Sequence, residues 1–142
     1  MDDSNVIESY LKKPYWIIDI LPKQVPVNAR GQYFKIEHFL LNSHMDDIYR
    51  RFTNVLLKIN CYEELSVCHA LEGQWVANPS PETLQKWMME RKALYVMLDS
   101  SQAMIAISGD EHYMTLYCDD ESPVSFIRTL VVSEGLFLWQ RK

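Results

Sequence analysis

The chain has 142 residues and a formal net charge of −5, from 14 basic and 19 acidic side chains. General nucleic-acid binding needs a basic surface that neutralises phosphates, so this charge argues against it. A chain of this length buries enough surface to hold a core without disulfides or a structural metal. We therefore predict a single globular domain over residues 1–142.

The amino-terminal residues and the cysteines indicate a cytoplasmic protein. The chain starts with an acidic segment, whereas a secretory signal peptide needs positive charge followed by an apolar run. The longest purely apolar stretch, residues 93–98, has six residues, against roughly 20 for a membrane-spanning helix. Three cysteines at unrelated spacings fit a reducing compartment better than a disulfide framework. We expect no membrane association.

Hydrophobic periodicity and turn signals predict the helices and strands in chain order. Helices are predicted over residues 5–13, 32–41 and 45–59, from Ser80 onward and from Ser122 onward, with Ser43 as the cap of the third. Strands are predicted over residues 15–21, 65–71, 94–98, 103–107, 112–117 and 136–139. Residues 22–31 contain two prolines and read as an irregular loop, and residues 72–79 read as a turn-rich link.

The three strands between residues 94 and 117 follow one another closely and have short, turn-forming separators. This spacing predicts an antiparallel meander. The whole order is then roughly β-α-α-β-α-β-β-β-α-β. Such an order predicts an α+β fold, with an antiparallel or mixed sheet of about five strands and the helices packed mainly on one face.

The glycine, histidine and cysteine patterns contain no motif for catalysis or for cofactor binding. The nearest two of the four glycines lie 26 residues apart, so the clustered glycines of a dinucleotide or phosphate loop are missing. The sequence has no His-Glu-x-x-His and no Cys-x-x-Cys, which removes the common zinc signatures. We predict no catalytic residue, no cofactor and no metal ligand. A non-enzymatic protein is favoured, with an enzyme as the alternative.

One part of the chain is strongly acidic. Residues 93–127 contain six acids and no lysine or arginine. Alternation along the strand 112–117 places its two tyrosines on one face, with acids at the adjoining turns. Tyrosines flanked by carboxylates suit a basic protein partner, as in an inhibitor or immunity-type protein. The predicted partner-binding residues are Asp110, Glu111, Tyr113, Thr115, Tyr117, Asp119 and Asp120. In the opposing interpretation, the acids merely occupy turns and the tyrosines border the core.

The loop at residues 22–31 supports a second hypothesis, a small-molecule or anion-binding domain that would include an enzyme. Lys23, Arg30 and His38 offer cationic or donor groups near a helix start. Trp75, predicted in a loop, would line the same pocket. The opposing interpretation is a loop that only covers a sheet edge. A third hypothesis is a structural subunit that associates with itself through an edge strand.

Overall fold

The computed structural model describes residues 3–70 and 73–141. Its elements are α1 (Asp3–Leu11), β1 (Tyr15–Asp19), α2 (Tyr33–Ser43), α3 (Met45–Asn60), β2 (Ser66–His69), β3 (Trp75–Ala77), α4 (Pro81–Met89), β4 (Leu94–Leu98), β5 (Ala103–Ile107), β6 (Tyr113–Cys118), α5 (Glu121–Ser133) and β7 (Phe137–Trp139). The α+β class is confirmed, but the sheet has seven strands instead of about five. One reason is that β3, predicted as part of a turn-rich link, pairs with β2.

All neighbouring strands of the sheet are antiparallel, in the order β3-β2-β4-β5-β6-β1-β7. The predicted meander is confirmed as β4-β5-β6. β1 pairs with β6 on one side and with the short β7 on the other. The first strand of the chain therefore lies between two strands from its carboxyl-terminal third. Residues 71 and 72, where one strand was predicted to end and the link to begin, lie outside the described residues.

The helices pack mainly on one face of the sheet, as predicted. Alternate strand residues, among them Ile18, Val96 and Leu116, point to this face and are fully buried. Phe52 and Leu56 of α3 belong to the same core and are also fully buried. α3 contributes many buried residues to the core because its apolar residues recur every three or four positions and form one stripe along the helix.

The opposite side of the sheet carries a more polar, aromatic surface, which we call the open face. Its central residues are Tyr95, Ala106, Tyr113, Thr115 and Tyr117, all partly exposed. α1 lies against one end of this face, where Val6 and Met97 line a shared depression. The open face is thus covered at one end and accessible in its middle.

Helix starts follow the predicted signals at one place and depart from them at two others. The Ser80 hydroxyl accepts a hydrogen bond from the Thr83 amide at 3.1 Å and caps α4, as expected. Ser43 does not cap α3, because α2 continues through it and only His44 joins the two helices. α5 begins at Glu121, one residue before the predicted cap.

Few apolar contacts hold α2 in place. The helix has no fully buried residue, and its Phe34, Ile36 and Phe39 side chains are exposed. Only Leu40 and Leu41 are partly buried against the core. The position of α2 therefore depends strongly on its polar contacts. Within residues 3–70 and 73–141, no helix is both long enough and apolar enough to span a membrane.

Candidate functional site

The predicted partner-binding residues on β6 lie on the open face. Tyr113, Thr115 and Tyr117 alternate with buried neighbours, so their side chains point away from the helices. Tyr117 pairs across the sheet with Tyr15, with 6.0 Å between ring centroids. Burial raises the pKa of the Tyr117 phenol, which therefore stays protonated and neutral at physiological pH. The strand period alone accounts for this orientation.

The four predicted acids divide between the two ends of β6. Asp119 forms an ion pair with Lys13, which lies two residues after the end of α1, and Asp120 occupies the N-cap position of α5. Asp110 and Glu111 precede the strand at its other end, so six residues of β6 separate the two pairs. At about 3.3 Å per residue, that separation is roughly 20 Å. The acids therefore form two pairs instead of one patch.

A depression on the open face brings together one acid pair and two tyrosines. This acidic hollow has a volume of about 440 Å³. Small side chains such as Ala106 and Thr115 are among its lining residues, as are the rings of Tyr95 and Tyr113 and the two acids Asp110 and Glu111. In the described part of the chain, no cationic side chain pairs with either acid. The hollow therefore carries negative charge that no ion pair among the described residues neutralises.

The electrostatics of Glu111 follow from this arrangement. Partial burial raises the pKa of its carboxyl above the ordinary value, and the neighbouring Asp110 charge raises it further. Protonated His112 acts in the opposite direction and has the smaller effect. A cation placed in the hollow would relieve this repulsion.

A buried polar cluster lies next to the hollow, and sequence reasoning missed it. His112 is 4% exposed, and its Nδ1 lies 2.9 Å from Asp19 Oδ1, while its Nε2 lies 2.9 Å from Glu37 Oε2. The Tyr33 hydroxyl donates to the same Glu37 oxygen at 2.9 Å. The Trp139 indole donates to Asp19 Oδ2 at 3.3 Å. This His112 cluster joins β1, β7 and the start of β6 to α2.

The geometry of the His112 cluster fits a protonated histidine held between two carboxylates. The hydrogen bond to Asp19 raises the pKa of His112 most, and the bond to Glu37 adds to it, so the protonated ring donates from both nitrogens. Burial and the bond to Glu37 raise the pKa of Tyr33 to about 12, so its hydroxyl remains a donor. With both ring nitrogens occupied, His112 has none left to bind a metal or to accept a proton from a ligand.

The stability of the fold should depend on pH through His112. Folding raises the pKa of His112 above its ordinary 6.5, so the folded chain holds a proton that the unfolded chain releases. This stabilisation is complete below pH 6.5 and is lost as the pH rises through the folded pKa. We expect the advantage of the wild type over a His112→Gln variant, in free energy of unfolding, to shrink as the pH rises above 6.5. Urea denaturation at stepped pH measures it, and a constant or growing advantage would contradict a protonated His112.

A smaller cavity opens beside the His112 cluster, and we call it the His112 pocket. Its volume is about 160 Å³, and its walls include Asp19, Lys23, His112, Tyr113, Trp139 and Arg141. Tyr113 also lines the acidic hollow, so its ring stands between the two cavities. The ring packs edge-on against His112, with 5.5 Å between centroids.

The four residues of the anion-binding hypothesis do not come together. Lys23 lines the His112 pocket, but Arg30 and His38 are exposed outside it, and His38 contacts Asn42. Trp75 belongs to β3 at the opposite edge of the sheet. The prediction of one shared pocket was wrong because it treated Trp75 as part of a turn-rich link, whereas backbone pairing with β2 places it in β3, with four strands between it and β1.

The structure thus presents two neighbouring cavities of different character. The acidic hollow is wide, and it is lined by two carboxylates that form no ion pair with a described residue. The His112 pocket is smaller and is lined by Lys23 and Arg141. Comparison with protein-family models, with curated proteins and with solved structures found no match to this chain.

Proposed function

We propose that this chain is a non-enzymatic, cytoplasmic protein-binding domain, of the inhibitor or immunity type, which binds a basic protein through the acidic hollow. One observation carries the proposal. Asp110 and Glu111 lack a cationic partner among the described residues, and they line the same hollow as the rings of Tyr95 and Tyr113. The three cysteines and the absence of a disulfide framework in the sequence support the cytoplasmic assignment.

The hollow suits a lysine or arginine side chain of the partner. A guanidinium group is planar, stacks on aromatic rings and donates up to five hydrogen bonds to carboxylates. The lining of small residues such as Ala106 and Thr115 leaves room for the group between the rings of Tyr95 and Tyr113. A cation over a tyrosine ring contributes about 0.5–1 kcal/mol when exposed, and about 2 kcal/mol when desolvated.

A macromolecular partner is favoured over a free small cation because the surface continues beyond the hollow. Tyr117 and Tyr15 extend the aromatic area along the open face. Protein interfaces are enriched in aromatic side chains, which bury area at low conformational cost, and charged rims raise the rate of association. The non-enzymatic character rests on His112, because the best-placed acid–base group of the chain is bonded on both nitrogens.

The proposal predicts that arginine-bearing ligands bind through the two acids. A peptide with two arginines should perturb the amide resonances of Ala106 and Thr115 in an NMR titration. We expect the double substitution Asp110→Asn/Glu111→Gln to weaken this binding by about ten-fold, equal to about 1.4 kcal/mol. Raising the salt concentration should weaken binding to the wild type far more than binding to the variant.

The matched control removes the same charge elsewhere. Glu64 and Glu90 are exposed and lie outside the hollow, so the substitution Glu64→Gln/Glu90→Gln should leave the affinity unchanged. An equal loss in this control would reduce the effect to the overall net charge, and the proposal would then be wrong. Resonance shifts caused by the peptide only at residues outside the acidic hollow would refute the proposal as well.

A further inference from the structure

The His112 pocket has the composition of a ligand site that is independent of the acidic hollow. One part of its wall is apolar, built from Ile17, Leu21 and Val25, together with the ring of Trp139. Another part is cationic, with Lys23 and Arg141. A few polar groups that converge on a mostly apolar concavity are characteristic of small-molecule sites.

The charged groups at the wall of the pocket do not balance one another. Asp19, Glu37 and protonated His112 together carry one negative charge, and their polar atoms already contact one another. Asp19 also accepts the Ile20 amide at 2.7 Å and the indole of Trp139, so its oxygens are occupied. The cluster is therefore closed and leaves its single net negative charge at the pocket wall.

The cations exceed that charge by one. In the described ranges, neither Lys23 nor Arg141 forms an ion pair, so together they bring two positive charges to the pocket. Over the charged groups that line the pocket, together with Glu37 behind them, the sum is one positive charge, while Asp110 and Glu111 lie beyond the Tyr113 ring in the acidic hollow. A monoanion would neutralise it, whereas a dianion would overcompensate it beside Asp19.

We propose that the His112 pocket binds a small monocarboxylate with a flat apolar body, such as a single-ring aromatic acid. Arg141 and Lys23 hold the carboxylate, since a guanidinium matches its two oxygens. The body lies against Ile17 and the Trp139 ring. The volume of about 160 Å³ admits one ring, and it is below the roughly 300 Å³ at which pockets for larger ligands begin.

Benzoate is the probe for this site, and the indole N–H resonance of Trp139 is a reporter inside it. We expect benzoate to shift that resonance with a dissociation constant of about 1 mM, as befits nine non-hydrogen atoms. Benzamide has the same shape without the charge, and acetate has the charge without the ring. Both should bind at least about ten-fold more weakly than benzoate, because benzamide lacks the charge that the two cations bind and acetate lacks the ring that the apolar wall contacts.

Single substitutions assign the carboxylate partners. Lys23→Gln and Arg141→Gln should each weaken benzoate binding by about ten-fold. Arg30→Gln and Lys35→Gln remove exposed cations from the same loop and from α2, outside the pocket, and should leave binding unchanged. All four positions are exposed, so the variants should fold, and an unchanged Trp139 resonance without ligand confirms it.

Three results would overturn the proposal. Benzamide that binds as tightly as benzoate would mean that charge plays no part. Inorganic phosphate that binds as tightly as benzoate would mean that the pocket accepts any oxyanion. No response of Trp139 to benzoate at about ten times the expected dissociation constant would mean that the pocket takes no such ligand. None of these results bears on the acidic hollow, because Lys23, Arg141 and Trp139 do not line it.

Discussion

Replacing Asp19 by alanine should lower the free energy of unfolding by about 3–5 kcal/mol at neutral pH. The Asp19 carboxylate is 3% exposed and accepts three hydrogen bonds, from His112, from the Ile20 amide and from Trp139. Its removal leaves these donors unsatisfied and removes the strongest partner of the buried imidazolium. Removing one partner of a buried ion pair is strongly destabilising because the other charge stays buried without compensation. Urea denaturation of the two proteins measures the difference.

A surface ion pair provides the control for this experiment. Asp47 pairs with Arg50 and Arg51 along α3, and all three side chains are at least one-third exposed. Asp47→Ala should cost less than about 1 kcal/mol, because water already solvates that pair. Equal losses in the two variants would mean that the His112 cluster is open to solvent, which would contradict its burial.

The Asp19 variant should also loosen α2. The helix has few apolar contacts, and its Glu37 and Tyr33 side chains bond to the His112 cluster. If His112 loses its proton together with Asp19, the bond to Glu37 weakens as well. We expect amide hydrogen exchange in α2 to accelerate in the variant while exchange in α3 changes only with the global stability.

Replacing Gly109 by alanine should cost about 3 kcal/mol or more. Gly109 is buried, has φ +90 and lies in the turn before β6, where an added Cβ would lie 2.2 Å from the carbonyl oxygen of Arg91. The backbone strain contributes about 1–3 kcal/mol, and the overlap with a fixed backbone atom adds to it. The backbone of the turn cannot shift freely away from Arg91, because the Glu111 carbonyl accepts a hydrogen bond from Tyr49. Thermal or urea unfolding measures the loss.

Two other glycines serve as controls that separate the cost of backbone strain from the cost of steric overlap. Gly73 has φ +73 with open space around its Cβ position, so Gly73→Ala should cost about 1 kcal/mol from strain alone. Gly31 has neither a positive φ nor a close neighbour, so Gly31→Ala should be neutral or stabilise slightly. A Gly109 variant no less stable than the Gly73 variant would show that the turn relaxes around the new methyl group.

Local sequence rules predicted the elements of this fold well. Ser80 and Pro81 mark the start of α4 because a hydroxyl cap and a fixed φ act within one helical turn. The orientation of Tyr113 and Tyr117 follows from the two-residue period of a strand. β3 was missed, because three residues at a sheet edge show no period and pair only once β2 is beside them.

The two cavities were predictable to different degrees. Asp110, Glu111 and Tyr113 of the hollow are close in the chain, so their charge run and alternation are visible in the sequence, whereas Tyr95 joins them from β4 through the pairing of the sheet. The division of the four predicted acids into two separate pairs was not visible, because the ion pair of Asp119 with Lys13 joins residues 106 positions apart. The ion pair of Asp119 and the N-cap position of Asp120 depend on how α1 and α5 pack.

The α+β class, the meander and the tyrosine-bearing strand follow from periodicity, capping and turn chemistry, which act over a few residues of the chain. The His112 cluster and its pocket do not follow from them, since His112 meets Asp19 across 93 residues and Glu37 across 75. Those contacts exist because β1 lies between β6 and β7, a neighbour relation set by the burial of the whole core. The choice of which distant strands become neighbours has no local signature, and it places a cationic pocket beside an acidic hollow.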